Sequence, residues 1–344
     1  MIKLSVMEIK SQVQSVSPPR IIPSMLEGFN VVASHIKLIL LPVLLDLLLW
    51  FGPHLRVRTL FSPLFDQLSK SMSLMSSPEV QNLLVSTQSV WLETLERFNL
   101  LTTLRTLPIG IPSLLSRSGF LENPVGQPFN YELQSLSQLA VVWLAIVLVG
   151  LAAGAMFFGE IARISLDHES TISLGRFFSQ YKQTILFTVA TYLIILILAV
   201  PLGIFISLVS MVNPMLTQIG IILMSLVLIW LLMPLIFSPH GIYGSQMNLF
   251  SAAMTSIRLV RYFLPGTGIF MLIAILLSQG LDILWQFPPE NSWMIIIGIF
   301  GHAFVATGLV AASFIYYRGG IKWMNEKLFK VTGVQKTADD RAGS

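Results

Sequence analysis

The chain has 344 residues, of which 54% are hydrophobic and 11% charged, with a mean hydropathy of +0.76, where soluble domains carry roughly a quarter charged residues. A soluble fold cannot hide that much apolar surface, and here the apolar residues gather into runs of about 20, the length that crosses roughly 30 Å of hydrocarbon. The net charge of +4 comes from basic residues spread over the flanks of those runs, which excludes the single basic stripe of a nucleic-acid binder; the absence of cysteine excludes a disulfide framework and thiolate metal sites.

Residues 1–30 are mixed and polar and include Pro18, Pro19 and Pro23. With no small-residue cleavage site soon after it, the apolar run that follows reads as a retained helix rather than a cleaved signal. That run, residues 31–51, is the first predicted span; Trp50 and Phe51 close it as at an interfacial aromatic belt, and Pro42 predicts a kink. Residues 52–138 form a long insertion. From Leu60 to about Leu104, apolar residues such as Leu64, Phe65, Leu68, Trp91, Leu95, Phe98 and Leu101 recur at helical spacing among polar ones, predicting amphipathic helices. The Pro- and Gly-rich stretch 107–133 predicts an irregular loop folded over the bundle, so the insertion reads as a small helical cap.

Five further spans follow, at residues 139–158, 185–210, 219–238, 266–286 and 293–316. The fold class is therefore an all-α polytopic membrane helix bundle of about six helices. Placing the N-terminus inside puts fifteen Lys and Arg on the cytoplasmic side and six in the insertion, while the short outer loops 211–218 and 287–292 carry none. The positive-inside rule thus predicts a multi-pass protein of the cell membrane with both termini cytoplasmic and the cap outside.

Two links between spans have similar layouts. In DHESTISLGRFFSQYKQT, Ser170 or Thr171 would cap a short amphipathic helix that exposes Arg176 and Lys182 and carries Phe177, Phe178 and Tyr181 on its apolar side; in SQMNLFSAAMTSIRLVRYF, Phe250, Met254 and Ile257 play the apolar part and Arg258 and Arg261 the basic one. The pairing suggests a degenerate repeat of spans 2–3 and 4–5. Within the basic tail 317–344, RGGIKWMNEKLFK has the composition of an interfacial helix held by anionic lipid at the inner leaflet, and residues after about Val334 have little to bury.

The order of apolar helix, short helix NLFSAAMTSIRLVRYF, next apolar helix and the closing VAASFIYYRGG is similar to uncharacterised bacterial membrane proteins related to the membrane domain of glycerophosphoryl diester phosphodiesterases, over roughly residues 139–320. The resemblance implies a six-helix membrane module. It implies no catalytic residue, because the soluble domain that names that family has no room in this chain.

Ionisable side chains inside apolar spans cost about 2.5–3.5 kcal/mol each near the centre, so each needs a reason. Asp46, Asp282 and His302 lie roughly 8, 6 and 14 Å below the outer boundary at 1.5 Å per residue. One reading joins them with Gln279 into a polar pocket under the cap for a proton, cation or small polar ligand. The other pairs Asp46 with Arg56 or Arg58, lets Asp282 reach the headgroups, and has His302 donate to a carbonyl. Glu160 and Arg163 share a helix face and predict a structural ion pair. Gly150 with Gly154, and Gly308 with Ala312, predict close helix approach, while Pro42, Pro201 and Pro234 mark either broken helices or ordinary kinks. No phosphate loop, HExxH helix, GxSxG elbow or Rossmann glycine set occurs, and His168 and His240 lack sequence partners. Neither catalytic residue nor metal nor cofactor is expected. The leading expectation is a non-enzymatic accessory or scaffold module contacting lipid and other membrane proteins; the alternative is a small transporter or permease, which requires Asp46, Asp282 and His302 to face one another inside the bundle.

Overall fold

The computed structural model describes residues 17–73, 78–117, 119–167, 173–210 and 214–342; within helices, the side chains of 68–69, 72–73, 78–87, 210, 214–215 and 328–342 are not described. The expectations placed on Leu68, His168, Ser170 and Thr171, and on the side chains after 327, lie outside these limits.

The first span is not one straight helix. Helix α1 (Ile21–Ser34) starts ten residues before the predicted run, because Pro18 and Pro19 end the extended lead-in and Pro23 sits in the first turn, where its missing N–H costs nothing. It ends at His35, whose ring Nδ1 and backbone N–H both turn back to α1 carbonyls. After a 3₁₀ turn, Ile36–Ile39, the chain continues as α2 (Leu40–Phe51), and the two halves are bent by 93°. Pro42 falls in the first turn of α2 and introduces no kink of its own.

A two-stranded parallel ribbon follows, β1 (His54–Arg56) paired with β2 (Asn130–Glu132), so the two ends of the insertion lie side by side. Between them stand the amphipathic helices α3 (Arg58–Ser73) and α4 (Pro78–Arg97), with Phe65 stacked on Trp91 at 5.5 Å. The stretch after α4 does not fold over the bundle as expected. It inserts as a plug, residues 104–117: Ile109, Ile111, Leu114 and Leu115 are 0–5% exposed and belong to the central core with Val43, Leu45, Leu49, Ile295 and Ile299.

Helix α5 (Leu136–Ser165) is capped by the Ser135 hydroxyl, which accepts from the Gln138 N–H at 3.2 Å. Its Gly150 and Gly154 serve the plug and not a second helix. A β-carbon on Gly150 would stand 2.5 Å from the Leu104 carbonyl oxygen, and one on Gly154 3.0 Å from the Gly110 α-carbon. The other small-residue pair does pack helix on helix: Gly308 lies against Phe29, and Gly28 of α1 faces Ala312, whose backbone nitrogen would be 2.4 Å from an added β-carbon.

Helix α6 (Leu174–Ser210) is continuous, so the short helix expected between spans 2 and 3 is its first turns. Phe177 and Tyr181 stack there, and the Tyr181 hydroxyl donates to the Leu148 carbonyl at 3.0 Å. Pro201 is accommodated within α6. Helix α7 (Pro214–Leu232) ends in a 3₁₀ turn, Met233–Leu235, and the chain resumes as α8 (Ser238–Gly244). Pro234 therefore interrupts the α-helical bonding of a span that still runs on from Leu216 to Gly244, and the Ser256 hydroxyl serves the interruption by accepting from the Phe237 N–H at 3.0 Å and donating to the Pro234 carbonyl at 2.7 Å.

Ser256 belongs to α9 (Leu249–Tyr262), capped by Asn248, whose buried stripe Ala252, Ser256, Leu259 and Val260 has helical spacing. This short helix is separate, unlike its counterpart at the start of α6, so the two links do not repeat one another. Helices α10 (Leu264–Trp285) and α11 (Ile295–Ala342) complete the bundle. The expected interfacial segment and tail are the unbroken continuation of α11, with Trp323 and Met324 buried and Lys327 Nζ 4.9 Å from the Trp323 ring centre. Among the described residues, five helical paths are long and apolar enough to cross a membrane, six when the bent pair α1–α2 counts as one. The protein is an all-α integral membrane protein.

Candidate functional site

Of the four side chains singled out in the apolar spans, His302 and Asp282 meet directly, while Asp46 and Gln279 are each bonded to the segment 113–117 of the insertion. Three elements place them: α2 carries Asp46, α10 carries Gln279 and Asp282, and α11 carries His302. Asp46 projects from α2, three residues from Val43 and Leu49 on the same buried face, and is wholly buried. Its carboxyl group is the socket for the plug. Oδ1 accepts from the Ser113 hydroxyl at 2.5 Å and the Leu115 N–H at 3.1 Å, and Oδ2 accepts from the Leu114 N–H at 3.0 Å. Asp46 thus caps the 3₁₀ turn Leu115–Arg117 from another part of the chain, supplying acceptors to N–H groups that a helix start leaves free. The pairing with Arg56 or Arg58 does not occur. Arg56 donates to Asn130, to the Phe98 carbonyl and to His54, and Arg58 meets Glu96 at 3.4 Å.

His302 and Asp282 form the second element of the site. His302 Nδ1 and Asp282 Oδ1 are 2.6 Å apart, bridging α11 and α10, with side-chain exposures of only 6% and 15%. The imidazole therefore bonds a carboxylate and not a carbonyl. Its other nitrogen, Nε2, is buried with no hydrogen-bond partner among the described residues.

Two arginines from the plug complete the assembly, and neither was singled out in the sequence. Arg105 donates to the Ser116 hydroxyl at 3.0 Å, and Arg117 donates to Gln279 Oε1 at 2.6 Å. Burial, with the like charge of Arg117 beside it, holds the Arg105 guanidinium below its usual range, while Asp282 and Asp46 pull the other way. Arg105 thus stands within electrostatic reach of both acids. Further out, Gln286 donates to the Leu114 carbonyl at 3.2 Å; Glu290 accepts from Arg97 and from the Leu121 N–H, each at 3.1 Å, while the Trp50 indole donates to the Glu290 carbonyl at 3.3 Å. The cap is therefore pinned to α2, α10 and the α10–α11 loop.

At the opposite end of the bundle, Glu160 and Arg163 are joined by two hydrogen bonds of 3.0 and 2.5 Å. They border a crevice of about 520 Å³ whose other wall is the break in the first span, including His35, Lys37 and Leu41. Leu41 and Asp46 are on the same helix, about 7.5 Å apart along its axis at 1.5 Å per residue. Between crevice and polar cluster the α2 face carries Val43 and Leu45, both buried.

Chemically, the cluster offers the His302–Asp282 pair, the Asp46 carboxyl group already engaged by three donors with Arg105 in electrostatic reach, and Arg117 on Gln279. Among the described residues no three His, Asp or Glu side chains lie close enough to hold a metal ion. His240 lies apart from the cluster, its Nε2 2.7 Å from the Ser313 hydroxyl. Comparison with protein-family models, with curated proteins and with solved structures finds no match to this chain.

Proposed function

We propose that the protein is a non-enzymatic accessory or scaffold module of the cell membrane, with both termini cytoplasmic and the cap outside as a fixed part of the bundle. One observation carries this reading: the plug is seated in the centre of the helices and held there by Asp46. Withdrawing Ile109, Ile111, Leu114 and Leu115 into water costs about 1.5–3 kcal/mol each, or roughly 6–12 kcal/mol together. A carrier that opened at the cap end would meet that cost in every cycle. The surface such a module offers is α6 and α7, in whose most apolar stretches no residue is buried within the chain.

Because the chain has no native cysteine, accessibility tests it directly. Ile109→Cys and Leu114→Cys should resist an impermeant thiol reagent in intact cells at every pH and salt tested. Gln127→Cys in the exposed cap should label from outside and Asn325→Cys should not. Labelling of the two plug positions under any ionic condition would overturn the fixed-cap reading.

A second reading rests on the buried His302–Asp282 pair with its unpartnered Nε2 and on the crevice at the other end: a small transporter or permease with its cap end closed. It predicts that plug labelling switches on with a proton or ion gradient, and that His302→Ala abolishes the switch.

A further inference from the structure

A lateral cleft of about 580 Å³ opens between α6, α7 and α10 toward the surrounding lipid. Phe187 and Thr191 of α6, Leu228 and Leu232 of α7, and Leu272 and Ile275 of α10 form its walls, and Pro108 of the plug reaches into it. Nearly all of the lining is apolar. One turn of a transmembrane helix, about 10 Å across and 5.4 Å tall, fills roughly 400 Å³, so the cleft would seat little more than one turn of a partner helix. It suits a narrower, unbranched hydrocarbon chain.

The α10 stripe that lines the cleft continues toward the cap and turns polar. Gly268, Leu272, Ile275, Gln279, Asp282 and Gln286 follow one another at three- and four-residue spacing and so share a face. Gln279 is one turn, about 6 Å, beyond Ile275. It is exposed on the lipid-facing side and receives Arg117, which is also exposed and makes no ion pair with a carboxylate among the described residues. The nearest acid on the stripe, Asp282, is occupied by His302, and Arg105 adds a second positive charge behind Arg117. A guanidinium above a dry chain-sized cleft is complementary to one class of molecule, an amphiphile with an anionic phosphate head.

We infer that the cleft binds one acyl chain of an anionic phospholipid, with its phosphate held by Arg117 and Gln279. The inference stands without the scaffold reading, since a fixed module and a carrier would hold such a lipid equally well.

The test uses the purified full chain in a mild detergent, with retained lipid counted by native mass spectrometry after exchange against phosphatidylglycerol or phosphatidylcholine of identical chains. Wild type should retain phosphatidylglycerol about tenfold better, a difference of about 1.4 kcal/mol. Arg117→Gln should abolish the preference while still retaining either lipid, and Arg117→Lys should restore part of it. Gly268→Leu should expel both lipids, because a β-carbon there has only Met233, at 3.7 Å, beside it and the longer side chain enters the cleft. Ile275→Trp provides a second filled cleft should Gly268→Leu fold poorly. Equal retention of the two lipids by wild type, an undiminished preference in Arg117→Gln, or full retention by folded cleft-filled variants would each overturn the inference. So would displacement of phosphatidylglycerol by millimolar inorganic phosphate, which would assign Arg117 to a free anion.

Discussion

Replacing Asp46 by alanine removes the socket of the plug and leaves its donors behind. The Ser113 hydroxyl can rotate to another acceptor, but the Leu114 and Leu115 N–H groups are fixed by the turn and lose their only acceptors shown. Each unsatisfied buried donor costs about 1–3 kcal/mol, so the substitution should cost roughly 2–6 kcal/mol. That corresponds to a fall of roughly 3–8 °C in the unfolding midpoint, followed by tryptophan fluorescence in detergent, where buried Trp50 reports on the same region. Asp46→Asn keeps one acceptor oxygen but turns an NH₂ group toward a plug N–H, so it should lose about half as much. The pair Asp46→Ala with Ser113→Ala should cost less than the sum of the two, since one of the stranded donors is gone. An alanine variant that melts within about 2 °C of wild type, with protease access to 105–117 unchanged, would refute the latch.

His54 is buried in the cap and fixed as the neutral tautomer, Nε2 donating to the Leu49 carbonyl and Nδ1 accepting from Arg56. Burial, and then the Arg56 charge, hold its pKa below the usual value near 6.5. The folded cap therefore resists a proton that the unfolded chain accepts, so stability present above pH 6.5 should be lost as the pH falls below it. Melting curves between pH 7.5 and 5 should slope in wild type and flatten at the acid end in His54→Gln. Gly150→Val should destabilise the protein by at least about 1–3 kcal/mol, because the new side chain meets the Leu104 backbone rather than a flexible side chain; an unchanged midpoint would show that the plug is not seated against α5. Glu290→Gln, by contrast, breaks an ion pair whose partners are 39% and 37% exposed, and should shift thermal stability by less than about 1 kcal/mol.

Hydropathy located the spans from 139 onward because a window of twenty apolar residues leaves little else to read, but it could not see the break after Ser34. The residues on both sides of that break are apolar, and the bend follows from where α1 finds Ala312 and Gly308 on a helix 280 residues away. Pro18, Pro19 and Pro23 concealed α1 by resembling a loop, although proline at a helix start is a permitted signal. The same contrast holds at the site. Asp46, Gln279, Asp282 and His302 stood out because polar groups in apolar helices demand partners, and helix depth placed three of them in the same half of the bundle. Ser113, Arg105 and Arg117 did not stand out, since 105–117 has no periodicity and its role depends on which carboxyl group it reaches. The spacing of Gly150 and Gly154 was legible as a close approach; that the approaching chain would be a loop was not.

The short ribbon of β1 and β2 has a consequence for how the molecule could be edited. Because residues 54–56 and 130–132 run side by side, the chain between them begins and ends at a single clasp. The helical part of that excursion, α3 and α4, packs chiefly on itself, so a short linker joining Arg58 to Arg97 should leave the clasp and the seated segment where they are. The plug is different, since removing it would empty the middle of the bundle. The insertion is thus two parts with separate obligations, one that can diverge in length and surface and one whose shape is dictated from inside the membrane.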